Sequence, residues 1–466
     1  MILAIAAALA IVVQDHTALR SAAQSGATEL TTLSQGDVLE IRGERGGYLQ
    51  VYNYRRERGG YLRTDAVRPL GLGERDAPEL LAVLRFLSES RGAEALGISY
   101  GAAYIKAVPA PALTAEPLLT IARMAERLAD SASGSVNPAV DVGAHLDVAA
   151  QSGIHMRSFE HNGRIQVCYD GELFHRVLTM PGASAEQRAL AALSLTRPDC
   201  IDPVLNPTLR TDLDQQRSAI LEGIAARDLT PLTRSRLHAR RAAVWAALAF
   251  EQARHSESSQ LAGQRALTEL LDVQVNDLGE DRRAEYVDAA ARVSATRWAA
   301  AVPAKVSERL TMSATPADPG QTCVTLQNVQ PGAAPLVQRC TYGIAWLASA
   351  QVIAQGQAVV LAVQPLETWR ELWIFHKRAG GWVVDVLPPG SDDPDEGYIE
   401  YAGYVPATGR LLIAREVKVR GHFRRSFEEL RLADLVTVRQ ASSPELLRDF
   451  GRSQDVIWRR DTLSLR

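Results

Sequence analysis

Lysine is almost missing from this sequence. Among 466 residues only Lys106, Lys305, Lys377 and Lys418 occur, so the cations are nearly all arginine. The formal net charge of −3 offers no global attraction to nucleic acid or to anionic lipid. Long apolar runs are also missing. The run from Ile2 to Val13 is too short to cross a bilayer comfortably, so no integral membrane span is expected. Cysteine is scarce, and Cys168, Cys200, Cys323 and Cys340 show no CxxC spacing, which excludes zinc-ribbon and thioredoxin-like readings. The nine histidines are scattered without zinc-ligand spacing, so neither a metal nor a cofactor is implied.

What is present fits a folded chain of several domains. The apolar fraction of 46% and charged fraction of 23% are those of globular proteins, and the length implies about two to four domains. The apolar N-terminal run matches the h-region of a secretory signal over residues 1–14. No Lys or Arg precedes it and no small-x-small site closes it, so a buried first strand is the competing reading. An even cysteine count without metal spacing suits disulfides, with four free buried thiols as the alternative. Nearest-neighbour pairing, Cys168–Cys200 and Cys323–Cys340, keeps each bridge inside one apparent domain. Together these features point to an exported, periplasmic or secreted protein.

The hexapeptide ERGGYL occurs twice, at Glu44–Leu49 and Glu57–Leu62. Around it stand Leu19-Arg20, then Gly36-Asp37-Val38-Leu39-Glu40-Ile41, Gly47-Tyr48-Leu49-Gln50-Val51, Gly60-Tyr61-Leu62, and finally Val67 and Leu70. Short apolar strands separated by glycine turns are the reading of this text. In order and spacing it resembles the bacterial SH3-like (SH3b) family over about residues 17–70. The resemblance implies a small SH3-like β-barrel over 15–72, with the repeat supplying two equivalent strand starts after tight turns. Alternation along the strands places Leu49, Val51 and Leu62 in the core and the tyrosines outside or at the rim. Tyr48, Tyr52, Tyr54, Arg55, Arg56 and Tyr61 then make a candidate binding groove for a peptide or glycan carboxylate. The alternative is that Tyr48 and Tyr61 cover the barrel against a neighbouring domain.

Beyond residue 72 the apolar period becomes helical. A mainly helical domain is expected over 73–302, opened by a capping box at Asp76–Glu79 and interrupted by a β excursion near 153–180 with a turn at 161–163. A second capping box is read at Ser184 and Gln187. Arg234, Arg236, Arg240 and Arg241 read as a solvated helix face, with Leu237, Val244, Trp245 and Leu248 on the buried one. "TMSATPADPGQ" reads as a boundary. An antiparallel all-β domain, propeller-like or sandwich, is expected over 315–441, with a C-terminal tail over 442–466 holding a short helix.

Signals for chemistry are sparse. Gly97-Ile98-Ser99-Tyr100-Gly101 satisfies the G-x-S-x-G pattern, making Ser99 the one catalytic candidate. Helical text precedes it, however, so helix-packing glycines are the competing reading. His155, His161 and His175 flank Cys168, but a disulfide is the better use of that thiol. Asp392, Asp393, Asp395 and Glu396 lack EF-hand spacing and read as a solvated acidic turn. The functional expectation is a non-enzymatic bacterial envelope protein, binding or scaffolding through its SH3-like module, with peptidoglycan or an envelope protein as partner. A cell-wall hydrolase targeted by that module, or a module serving only as an internal spacer, are the alternatives.

Overall fold

The computed structural model describes residues 8–133, 140–161, 163–280, 282–302, 307–330, 332–390 and 396–461. Asp392, Asp393 and Asp395 of the acidic turn therefore lie outside the described residues. The chain divides into two compact units, Met1–Leu205 and Asn206–Arg466. The helical text expected as one domain over 73–302 is shared between them.

The first unit opens with seven strands: β1 (Ala8–Val12), β2 (Thr17–Arg20), β3 (Glu29–Leu33), β4 (Val38–Arg45), β5 (Tyr48–Asn53), β6 (Arg58–Arg63) and β7 (Val67–Leu70). They form one antiparallel sheet in the order β3-β2-β6-β5-β4-β1-β7. Its core gathers the inward, alternate residues of neighbouring strands, among them Leu19, Leu39, Val51 and Leu62, with Leu49 packed beside them. The secretory-signal reading of residues 1–14 does not describe Ala8–Val12. Those residues are β1, inserted between β4 and β7, with Ala10, Ile11 and Val12 fully buried. An apolar run without charge suits an interior strand as well as it suits an h-region.

Helices α1 (Ala77–Ser88), α2 (Glu94–Ala107), α3 (Ala115–Ala132) and α4 (Val140–Gln151) follow. Then come the hairpin β8 (Met156–His161) and β9 (Arg164–Tyr169), α5 (Glu172–Thr179) and α6 (Ala185–Leu195). The amphipathic α3 is the hub, burying Leu118, Ile121, Met124 and Leu128 against α2, α5 and β9 residues. At Ser184 the capping box forms as expected: Gln187 N–H donates to Ser184 Oγ at 3.1 Å, and Ser184 N–H to Gln187 Oε1 at 2.9 Å. At Asp76 it does not. That carboxylate instead accepts from Gly73 N–H at 2.9 Å, holding the approach to α1 rather than its first turn.

The second unit begins with α7 (Pro207–Glu222), α8 (Pro231–Arg254), α9 (Gln260–Leu271) and α10 (Arg283–Thr296). Asn206 caps α7 through Leu209 N–H at 2.9 Å, and Pro207 stands at its first position. On α8 Leu237, Val244 and Leu248 are buried, whereas Trp245 is half-buried. The solvated reading of the arginines fails for two of them. Arg240 and Arg241 are buried, and Arg241 donates to the carbonyls of Leu221 and Ile224 at 2.7 Å, satisfying the end of α7.

The β part starts at Leu310, earlier than the expected residue 315, because "TMSATP" is strand rather than boundary. Strands β10 (Leu310–Pro316), β11 (Thr322–Asn328) and β12 (Pro335–Thr341) form a three-stranded antiparallel sheet. A larger sheet holds β13 (Ile344–Ile353), β14 (Ala358–Leu366), β15 (Trp369–Arg378), β16 (Gly381–Leu387), β17 (Gly397–Val405), β18 (Arg410–Val419), β19 (His422–Arg431) and β20 (Thr437–Ala441). It is not wholly antiparallel: β15 begins parallel to β17, at Trp369↔Gly397 and Arg370↔Tyr398, before turning to pair with β16. Leu310, Met312, Val324 and Leu326 of the small sheet pack on Val359, Leu361, Trp373 and Phe375 of the large one. The tail carries two short helices, α11 (Arg448–Ser453) and α12 (Val456–Asp461), whose Phe450 and Trp458 are buried with Leu412 and Phe427.

Candidate functional site

The two copies of ERGGYL are not equivalent. In the first, Gly46 and Gly47 make the β4–β5 turn with φ of 58° and 78°, and Tyr48 opens β5. In the second, Gly59 and Gly60 lie inside β6 and Tyr61 comes four residues into the strand. Gly60 is required by close approach: a Cβ there would stand 2.8 Å from the carbonyl oxygen of Arg20 on the crossing strand. Register pairs Leu49 with Leu62, and both point inward as alternation requires. Tyr48 opposite Arg63 and Tyr61 opposite Gln50 therefore share the outer face, and both tyrosines are partly exposed.

Further along that face Tyr52 carries a second cluster. Its ring meets Tyr54 edge-on at 5.0 Å, and the Arg42 guanidinium lies 4.0 Å above it. Tyr54 is 64% exposed and donates to Glu40 at 3.1 Å. The Arg42 hydrogen bond holds the Glu40 carboxyl below its usual range, and Arg63 does the same for Asp65. The arginines of the expected groove are elsewhere. Arg56 donates to Thr31 Oγ1 at 3.0 Å and to the Thr32 carbonyl, bracing β3. Arg55 pairs with Asp147 of α4 at 3.1 Å. The sequence set thus separates into an outer face with Tyr48, Tyr52, Tyr54 and Tyr61, and two arginines that tie the β5–β6 turn to its surroundings.

The sheet meets the helices through other residues. Ile11 and Leu70, with Leu9 and Val13, pack on Ala77, Leu80, Leu96 and Tyr100. Neither Tyr48 nor Tyr61 belongs to that cluster. At the same contact the Ser99 hydroxyl, only 3% exposed, donates to the Gly36 carbonyl at 2.9 Å and lies 3.4 Å from Ser152 Oγ. Gly97 and Gly101 give room to Met124 and Ile121, so the G-x-S-x-G pattern here is a helix-packing surface. Sequence reasoning missed the neighbouring group: His145 Nε2 lies 2.9 Å from Asp15 Oδ1, whose two oxygens also accept from Gln35 N–H and its amide at 3.0 Å. Cys168 is bonded to Cys200, and Cys323 to Cys340.

The second unit holds its charged groups between helices and sheet. Glu367 receives Arg292 at 2.7 Å and Arg210 at 2.8 Å, and Arg210 also reaches Asp214 at 2.8 Å. Glu400 is gripped through both oxygens by Arg297 and through one by Arg370. Burial alone would raise both carboxyls; the arginines more than offset it and hold both below their usual range. Nothing in the local text marks these groups, because each carboxylate and its arginines are far apart in the chain. Among the described residues no group of three or more His, Cys, Asp or Glu side chains is arranged to hold a metal ion, and no helix is long and apolar enough to cross a membrane. The sequence matches no protein-family model, no curated protein and no solved structure.

Proposed function

We propose that this chain is a non-enzymatic bacterial envelope protein, periplasmic or secreted, whose N-terminal sheet is an SH3-like module that binds a cell-wall or protein ligand on its tyrosine face. One observation carries the reading. Tyr48 and Tyr61 face outward from a sheet whose helix contacts are made by Ile11, Leu70 and the Gly36 loop, so the tyrosines are not spent on packing against the helices. A tyrosine offers a flat apolar surface with a polar tip, which suits a glycan ring or an extended peptide. Two disulfides favour an oxidising compartment. The hydrolase alternative is weakened because its two nucleophile candidates are committed, Ser99 to the Gly36 carbonyl and Cys168 to a bridge. The packing of the small C-terminal sheet on the large one favours a sandwich over a propeller.

Retention of the full-length protein on purified sacculi and on immobilised envelope extract tests the proposal. Tyr48→Ala and Tyr61→Ala should each lower retention several-fold on one of the two while leaving the melting temperature unchanged. Unchanged retention together with a lowered melting temperature would show that the tyrosines belong to packing and the binding face does not exist.

A further inference from the structure

Alternation along the strands gives the small sheet of the second unit two unlike faces. Met312, Val324 and Leu326 point toward the large sheet, with Val337 packed beside them. Register then places Ser313, Thr315, Cys323, Thr325, Gln338 and Cys340 on the opposite face. None of those six joins the core between the sheets. The face is polar, with Gln338 Nε2 donating to Thr325 Oγ1 at 3.0 Å beside the bridge. The Cys323–Cys340 disulfide therefore crosses the outside of the ladder, where it can open without exposing apolar side chains.

Its two sulfurs are not equally accessible. Cys323 stands in the middle strand β11 and is only 7% exposed, whereas Cys340 stands in the end strand β12 and is exposed. The strands do not depend on the bridge for their alignment. Thr322 pairs with Thr341 on one side of it, and Val324 with Arg339 and Thr325 with Gln338 on the other. Arg339 also reaches over the Trp373 ring at 5.2 Å, anchoring β12 from its inner face. Two reduced cysteines would thus stay opposite each other, placed to re-form the same bond. The other bridge is differently built. Cys168 is 1% exposed between the buried Val167 and Tyr169, and the half-buried Cys200 has its carbonyl held by Arg157 at 3.3 Å.

We propose that the Cys323–Cys340 bridge is a thiol–disulfide exchange site for low-molecular-mass thiols, with Cys340 the sulfur attacked. A thiolate bonds to Cys340 Sγ, the Cys323–Cys340 bond breaks, and Cys323 leaves as a thiolate that takes up a proton. The small thiol is then carried on Cys340 as a mixed disulfide. A second thiolate attacks the sulfur of the carried thiol, releasing the small-molecule disulfide and leaving Cys340 reduced and protonated. In sum two thiols are oxidised and one protein disulfide is reduced. Cys168–Cys200 takes no part, because its sulfurs are shielded in the fold.

The test incubates the native, unreduced full chain with reduced glutathione as the probe, quenches with iodoacetamide at intervals and maps each cysteine by mass spectrometry. Cys323–Cys340 should open at least ten-fold faster than Cys168–Cys200, with the glutathione adduct on Cys340 and the circular dichroism unchanged. Oxidised glutathione should then restore the Cys323–Cys340 pair. Equal rates at the two bridges, an adduct on Cys323, or thiol release only in step with loss of the dichroism would each overturn the proposal.

Discussion

Glu400 draws its partners from distant parts of the chain: Arg370 stands 30 positions away and Arg297 103. Removing its charge leaves two buried guanidiniums without a counter-ion, so Glu400→Gln should cost the second unit about 3–5 kcal/mol. Because the folded carboxyls of Glu400 and Glu367 lie below their unfolded values, their contribution is complete above about pH 4.3 and is lost as pH falls through the folded values. Thermal unfolding followed from pH 7 to pH 2 should show this loss on the acid side, and a shallower one in Glu400→Gln. An unchanged acid limb would mean that the pair is not what acid breaks. At this scale the sequence was legible where a two-residue period decided the matter, as for Leu49, Val51 and Leu62. It was silent on Glu400, because an ion pair across a hundred residues leaves no mark on the text around either partner.

At the level of elements, the two disulfides join neighbours in sequence, Cys168 in β9 to Cys200 just beyond α6, and Cys323 in β11 to Cys340 directly opposite in β12. Loops of 32 and 17 residues should each contribute about 3–4 kcal/mol on the chain-entropy account. Thiol titration of denatured, unreduced protein should find no free thiol, and Cys168→Ala with Cys200→Ala should lower the stability of the first unit by that amount. Four titratable thiols would remove the main support for export. Nearest-neighbour pairing anticipated both bridges, and each lies within one of the two units. The meaning of the ERGGYL repeat was only half readable. Its first glycine pair is a turn, but the second lies mid-strand because β2 crosses Gly60, a contact that local text does not encode.

Across the whole molecule, the boundary at Leu205 and Asn206 divides helices that look alike in sequence. Amphipathic text states that a helix has a buried face but not what that face meets; α3 packs among helices and the β8–β9 hairpin, whereas α10 sends Arg292, and the turn directly after it Arg297, into the β part. Fragments 1–205 and 206–466 should each unfold cooperatively by circular dichroism, and a fragment spanning 73–302 should not. Cooperative unfolding of 73–302 would restore a single helical domain. The N-terminal apolar run shows the same limit, since Ala8–Val12 has the composition of a leader and the neighbours of a core strand.

The binding face itself is tested most directly by hydroxyl-radical footprinting of the full chain with and without envelope material, read residue by residue by mass spectrometry. Protection concentrated at Tyr48, Tyr61 and the outward residues beside them, with the helices of the first unit unchanged, is the expected result. Protection confined to other surfaces, or no protection at any concentration that retains the protein, would contradict a binding role for the tyrosine face.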